Sequence, residues 1–232
     1  MADLKVLLGI PTAFTGVYTS DIFRAFMRIA AQRWPLAETE CGRIDIVRNQ
    51  MAQMAIDGGY THLVMLDADH VHPEDTVHKL VRWAKAAPDK FRVVGGLQYR
   101  RCAPYEPQVF RWSEERKQFY TWNYWAENAI VEVDLLGMAS VCIDVRVFAT
   151  LPAPWWKYEY PDYITDHRYP SEDCYFSRTA REKGVTLWCD TSVTSPHLTT
   201  QYADKRMMER YEREHAEGTH EHQDVTANPV RH

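Results

Sequence analysis

The chain alternates short apolar runs with stretches in which apolar residues recur every three or four positions. Residues 4–12, LKVLLGIPT, form an apolar run that stops at Pro11, as a buried strand would. After a polar loop, Ser20 and Asp21 open a segment with Ile22, Phe23, Phe26, Ile29 and Ala30 on one helical face. A short strand is expected near 36–41. IDIVRNQMAQMAIDGG then reads as a helix capped by Asp45, packing Val47, Met51, Met54 and Ala55 inward and stopped by Gly58 and Gly59. The strand THLVML leads into DADHVHPED, and a helix is predicted over 73–87, with Pro73, Glu74 and Asp75 in its first turn and Val77, Leu80, Val81 and Ala84 inside. FRVVGGLQY is the next buried strand.

From about residue 100 the rhythm changes to shorter, aromatic strands: PQVFRW, QFYTW and IVEVDLLG. SVCIDVRVFATL reads as a strand and short helix, followed by a loop rich in Trp, Pro and Tyr over 152–170. Ser171 caps the helix SEDCYFSRTAREK, which Gly184 ends. The strand VTLWCD and the loop TSVTSPHL come next, then a charged helix and a polar tail from about 201 to 232. Alternating β and α segments followed by a mixed half predict one α/β domain built on a mostly parallel sheet flanked by helices.

Composition narrows the possibilities. At 232 residues and 45% hydrophobic, the chain can bury a full core. No apolar run is long enough to span a bilayer, and MADLKVLLGIPTAF lacks the basic and cleavage regions of a leader, so a soluble, cytoplasmic protein is expected. The 5 cysteines are widely spaced with no C-x-x-C pair, which favours reduced thiols over a zinc site. A net charge of -5 provides no global attraction for nucleic acid or anionic membrane, leaving only local patches such as Arg100-Arg101 and DKRMMERYERE.

Three places could carry chemistry. Asp67 and Asp69 end an apolar strand; two apart on an extended chain, their Cα atoms lie roughly 6.5–7 Å apart on one face. Like charges so placed call for a cation, and carboxylate and water oxygens suit Mg²⁺ or Mn²⁺. A solvated helix-capping turn is the plain alternative. Glu172 and Asp173 fall in the first turn of the helix capped by Ser171, where ordinary N-terminal acids also belong. Either could be a general base, given desolvation enough to raise its pKa. His197, just after the last strand, could join a metal or be an ordinary exposed side chain. His70 and His72 read as part of the turn rather than as ligands, and His215, His220, His222 and His232 as solvated tail residues.

Taken in order, GIPT, IVRNQMAQMAI, THLVMLDAD, VVGGLQYRR, VDLLGMASVCIDVRVF, SEDCYFSRTAREKG and SPH resemble the GT-A glycosyltransferases. The likeness is greatest to small family-2-like enzymes of bacterial and phage genomes and spans about residues 4–200. It implies a Rossmann-like GT-A fold over 1–200, with a nucleotide-binding half (1–98) and an acceptor-binding half (99–200). It also implies a nucleotide-sugar donor, a UDP- or GDP-sugar, and a divalent ion, Mn²⁺ or Mg²⁺. In the same terms Pro11 and Thr12 would line the nucleoside pocket, Arg48 would approach the phosphates, and Gly137 and Met138 the donor sugar. Asp67, Asp69 and His197 would serve the metal, with Asp67 also near the ribose or sugar. Asp173 would be the catalytic base supported by Glu172. The acidic cluster that holds uracil in relatives has no clear counterpart beyond Glu38 and Glu40, so the donor base stays open.

The expected reaction is sugar transfer to an acceptor hydroxyl with inversion. Trp155, Trp156, Tyr158 and Tyr160, on the loop before the base, are candidates for an acceptor surface or lid, or else pack over the core. Arg100 and Arg101 could meet a phosphate of donor or acceptor. The acceptor could be a glycan, a lipid-linked or protein hydroxyl, or, in phage-type relatives, a hydroxymethylated DNA base. The host cytoplasm would then be the location. Two rivals stand beside this reading: a nucleotidyltransferase, though PTAFTGVYTS lacks the expected basic loop, and a nucleotide-sugar-binding module without turnover.

Overall fold

The computed structural model describes residues 4–12, 19–159, 171–199 and 204–214. Its central sheet has seven strands: β1 (Val6–Gly9), β2 (Leu36–Ala37), β3 (His62–Leu66), β4 (Val93–Leu97), β7 (Ile130–Val133), β9 (Ser140–Asp144) and β10 (Leu187–Thr194). Their order is β2-β1-β3-β9-β4-β10-β7. All run parallel except β9, which pairs antiparallel with both β3 and β4, and β7, antiparallel to β10 at one edge. A three-stranded sheet of β6 (Gln118–Thr121), β5 (Val109–Ser113) and β8 (Leu135–Leu136) sits beside it.

Strand alternation sends side chains to two packed layers. Leu63 and Met65 of β3 join Met51 and Ala55 of α2 (Ile44–Asp57), Phe148 of α4 (Arg146–Thr150) and Phe176 of α5 (Glu172–Glu182). Val64 and Leu66 point the other way, toward Ile29 of α1 (Ser20–Ala30) and Val77, Leu80 and Val81 of α3 (Thr76–Ala86). Each fully buried aliphatic side chain contributes about 1.5–3 kcal/mol. A last helix, α6 (Lys205–Glu214), has no buried residue, although Met208 touches the core. No helix among the described residues is long and apolar enough to cross a membrane.

Several sequence expectations need correction. Phe23 is 61% exposed, because the inner face of α1 is the narrower set Ile22, Ala25 and Ile29. Asp45 does not cap α2; its carboxylate is gripped by Arg43 through bonds of 2.6 and 2.7 Å, and Arg43 occupies the cap position. The helix predicted from 73 begins at Thr76. IVEVDLLG is not one strand: at Asp134 the chain passes from the large sheet to the small one, and the Asp134 carboxylate accepts from the Trp112 N–H at 3.0 Å. Strand β10 runs on through TSVT, read from sequence as loop. The stops at Gly59 and Gly184 are as expected, with φ of 62° and 71°.

The placement of β9 is what builds the site. Because β9 runs against β3, its start lies beside the end of β3, with Leu66 paired to Ser140. The Asp67 N–H donates to the Ala139 carbonyl at 2.8 Å, so the turn 137–139 and the acids after β3 share one rim.

Candidate active site

Asp67 and Asp69 do not converge on one point. The chain leaves the β conformation at Leu66, the two-residue alternation lapses in the turn, and the carboxylates go to different partners. Asp67 accepts from one guanidinium nitrogen of Arg48 at 3.1 and 3.0 Å. Asp69 accepts contacts from His70 Nδ1 at 2.8 Å and His197 Nε2 at 3.1 Å.

Arg48, on α2, is 1% exposed and binds three acids. Its other terminal nitrogen donates to Glu172 Oε1 at 2.8 Å and to Asp173 Oδ1. Burial disfavours the guanidinium charge, but the carboxylates of Asp173, Asp67 and Glu172 more than offset this, so Arg48 is held in its charged form. The N-terminus of α5 presents two of those acids because Ser171 caps it, its hydroxyl accepting from the Cys174 N–H at 3.3 Å.

Asp173 is strongly perturbed. Burial pushes its carboxyl from 3.8 up to about 8; Arg48 pulls the other way, while the charges of Glu172 and Asp67 reinforce the rise. Its Oδ2 accepts from the Met138 N–H at 3.2 Å. Desolvation is therefore strong enough to outweigh the helix-terminus effect expected to keep this group acidic. Burial likewise raises Asp67, against the pull of Arg48. Asp69 moves in the opposite direction: burial is overcome by hydrogen bonds from His197 and His70, and its carboxyl lies well below the usual range.

The sequence reading passed over His70, yet it lies beside Asp69 and His197, with ligand atoms of all three within 4.8 Å of one another. The only sequence signal was its position directly after D-A-D. Asp67, expected among the ligands, stands outside this group on Arg48. His72 is buried under the turn, bridging the Asp67 carbonyl and the Ser195 hydroxyl at 2.9 Å each. Burial, with the neighbouring His70, lowers its pKa to about 3, so it is a neutral strut.

Two cavities meet here. One of about 550 Å³ is lined by Pro11, Arg48, Asp67, Asp69, Gln98 and Tyr158, among others. The second, about 340 Å³, is lined by Arg100, Phe110, Leu135, Gly137 and Cys174. Both include Asp173, His197, Arg101, Gln108 and Ser171 in their walls. Thr12 lines neither; its carbonyl accepts from the Gly42 N–H at 3.4 Å. Met138 is fully buried and reaches the site through its backbone alone. Arg101 approaches Asp69 Oδ2 at 3.7 Å, and Arg100 approaches Glu106 at 3.7 Å.

Trp155 and Trp156 form no acceptor platform. Trp156 stacks on Phe176 at 4.8 Å with an 11° tilt, and Trp155 donates its indole N–H to the Phe148 carbonyl at 2.9 Å, so both belong to the core. Asn49 holds this loop down: its side-chain oxygen accepts from the Trp155 N–H at 2.8 Å, and its amide donates to the Trp156 carbonyl at 2.6 Å. Of the loop aromatics among the described residues only Tyr158 lines the cavity, hydrogen-bonded to Glu172. Tyr160 and the tail histidines His215, His220, His222 and His232 lie outside the described residues. All five cysteines are free.

No protein-family model matches this chain, and neither does any curated protein. Among solved structures, the crystal structure of A197 from STIV superposes with a TM-score of 0.61 at 18% identity, covering 84% of this chain and 86% of that one. The apo UDP-glucose pyrophosphorylase superposes with a TM-score of 0.51 at 6% identity, covering 93% of this chain and 99% of that one. What is shared at such identities is the fold: a mixed α/β, Rossmann-like domain with a mostly parallel sheet between helices.

Proposed function

We propose that the protein transfers a sugar from a nucleotide-sugar donor to an acceptor hydroxyl, with Asp173 as the base. The observation that carries this reading is the location of Asp173 in the wall common to both cavities, with a carboxyl raised to about 8. A base for group transfer needs that position, between the two reactants, and a pKa near the working pH. In this reading the larger cavity takes the donor, with Pro11, Arg48 and Asp67 at its nucleotide end, and the smaller one takes the acceptor between Gly137, Arg100 and Arg101. Residues 1–98 then provide mainly donor contacts and 99–200 mainly acceptor contacts.

Asp173 takes the hydroxyl proton as the acceptor oxygen attacks the anomeric carbon and the nucleoside diphosphate leaves, which gives inversion. Arg48 and the Met138 N–H fix the two carboxylate oxygens, so the base is oriented before substrate arrives. Glu172 shares the Arg48 clamp and positions Tyr158 at the cavity wall. The carboxylate and imidazole donors beside the cavity fit a divalent ion such as Mn²⁺. That ion would supply charge neutralisation for the leaving diphosphate. The donor would be a UDP- or GDP-sugar, and the acceptor a glycan, lipid-linked or protein hydroxyl. The net charge of -5 weighs against a DNA acceptor.

Nucleotidyl transfer is the rival, favoured by the likeness of fold to the pyrophosphorylase and disfavoured by the absence of Lys and Arg from PTAFTGVYTS. Incubation with Mn²⁺ and a panel of nucleotide sugars separates the two. Release of nucleoside diphosphate is expected; formation of nucleoside triphosphate from added pyrophosphate would instead establish nucleotidyl transfer. Binding of a nucleotide sugar by calorimetry without any turnover would leave only a binding module, and no binding at all would remove both.

A further inference from the structure

We propose that the protein has a second ligand site, an apolar cavity at the opposite end of the sheet that takes a single-chain amphiphile with a neutral hydroxyl head, received by His62. The rim of the active site lies where Leu66 of β3 pairs with Ser140 of β9; at the other end of the same pair His62 stands beside Asp144. The length of β3 puts roughly 13 Å between the two ends. A cavity of about 880 Å³ lies at the His62 end, larger than either cavity of the active site. Its wall is mostly apolar, with Ile56 of α2, Phe148 and Ala149 of α4, Pro88 and Trp155. That size and lining suit a small ligand with an apolar body.

His62 supplies the polar contact. The Thr61 hydroxyl donates to the Lys5 carbonyl at 3.1 Å and accepts from the Lys5 N–H at 2.9 Å. Its one hydrogen is thereby used, so toward His62 Nδ1, 2.9 Å away, it can only accept, and Nδ1 carries the ring hydrogen. Burial lowers the His62 pKa against the pull of Asp144, so the ring is neutral and Nε2 is an acceptor. His62 is 3% exposed, and this nitrogen makes no hydrogen bond among the described residues. Side chains two apart on a strand share a face, so His62 projects with Val64 and Leu66 toward α3, whose Ala84 and Lys85 line the same cavity. A buried acceptor without a donor is unfavourable, and an O–H brought into the cavity satisfies it. The charges favour a neutral head over a carboxylate, which would meet the Nε2 lone pair and the Asp144 carboxylate. Arg146 is already matched by Asp144 and Asp89, and Lys85 is exposed to water.

The test is calorimetry of the full chain with decanol, with its methyl ether, which lacks the donor, and with decanoate. Decanol is expected to bind at least about fivefold more tightly than the ether, as one neutral hydrogen bond allows, and more tightly than decanoate. In protein labelled with ¹⁵N at histidine, decanol should shift the His62 Nε2 resonance and leave His72, whose two ring nitrogens are both engaged, in place. That check needs no variant. Ala149→Trp, at an exposed position of the wall, fills the cavity and should weaken decanol by at least about tenfold. His62→Phe keeps a ring in place and should reduce the preference for decanol over the ether to less than about twofold. Failure of decanol to bind the wild type, equal binding of decanol and ether, or tightest binding of decanoate overturns the proposal. Undiminished binding in Ala149→Trp or an unmoved His62 resonance does so too. None of these readouts involves sugar transfer, so this site and the proposed function stand or fall separately.

Discussion

Arg48 on α2 and Asp173 on α5, 125 positions apart in the chain, are joined by a hydrogen bond in the interior, beneath the junction of the two cavities. Arg48 also holds Glu172 and Asp67, so one guanidinium orders three acids from two segments. Replacing it with Met leaves those carboxylates buried without a counter-charge. The expected cost is about 3–5 kcal/mol, as for a buried ion pair that loses one member. Urea unfolding at neutral pH measures it. The deficit should shrink at lower pH, where the orphaned acids protonate.

The raised carboxyl of Asp173 makes stability depend on pH. Between its ordinary value of 3.8 and about 8 the folded protein holds a proton that the unfolded chain has released. Stability therefore falls as pH rises through that window and levels off above about 8. Neutral His72 works in the opposite sense, but only below 6.5, where the unfolded chain takes up a proton. The interval from 6.5 to about 8 is thus free of the His72 contribution. Asp67, also raised by burial, acts there in the same sense as Asp173, so the Asp173→Asn comparison isolates the Asp173 share. Thermal unfolding across this interval should show a decline that Asp173→Asn reduces. If Asp173 is the base, transfer rises over the same interval in the wild type, and the Asn variant loses at least about a hundredfold in rate while retaining donor binding.

Gly137 sits where no side chain fits. A Cβ there would fall 1.9 Å from Gln98 Nε2 and 2.8 Å from Gln108 Oε1, breaking the 3.0 Å bond between those two amides. Gly137→Ala should cost about 1–3 kcal/mol through overpacking. Because Gln108 lines both cavities, nucleotide-sugar binding should weaken as well. Calorimetry with the donor, performed below the variant's melting temperature, distinguishes the two effects.

Trp156→Ala offers a contrasting case. Stacked on Phe176 and fully buried, Trp156 should cost about 3–5 kcal/mol when truncated. Its loss should leave the acceptor KM unchanged at temperatures where the variant remains folded. A raised KM with undiminished stability would restore Trp156 to an acceptor surface.

The sequence revealed elements far better than it revealed partners. Runs such as LVML and VVGGL announce strands buried on both faces, since few other environments tolerate them, and β3 and β4 lie there. IVEVDLLG defeated the same reading because its pattern does not record that Asp134 turns the chain from one sheet to the other. Trp155 and Trp156 carry no mark of core or surface; Asn49, more than a hundred positions away, settles the matter by tying down their backbone. In the site, the acids were visible as a strand ending in D-A-D and a capped helix beginning E-D. That Arg48 would claim Asp67 while His70 faces Asp69 depends on the turn after Leu66 and on the neighbouring segment 195–198. Neither has a local sequence pattern.

The antiparallel strand β9 also bears on how the protein is made. Residues 62–66 and 93–97 have no pairing with each other; both lean on 140–144, inserted between them from the later half of the chain. A nascent polypeptide that has emerged only as far as residue 98 therefore exposes two apolar strand edges with nothing to close them. The link between β3 and β4 cannot be completed until Ser140–Asp144 arrives, and its completion brings Met138 to the rim. The joining of β3 to β4 and the placement of Met138 at the rim thus depend on the same five residues.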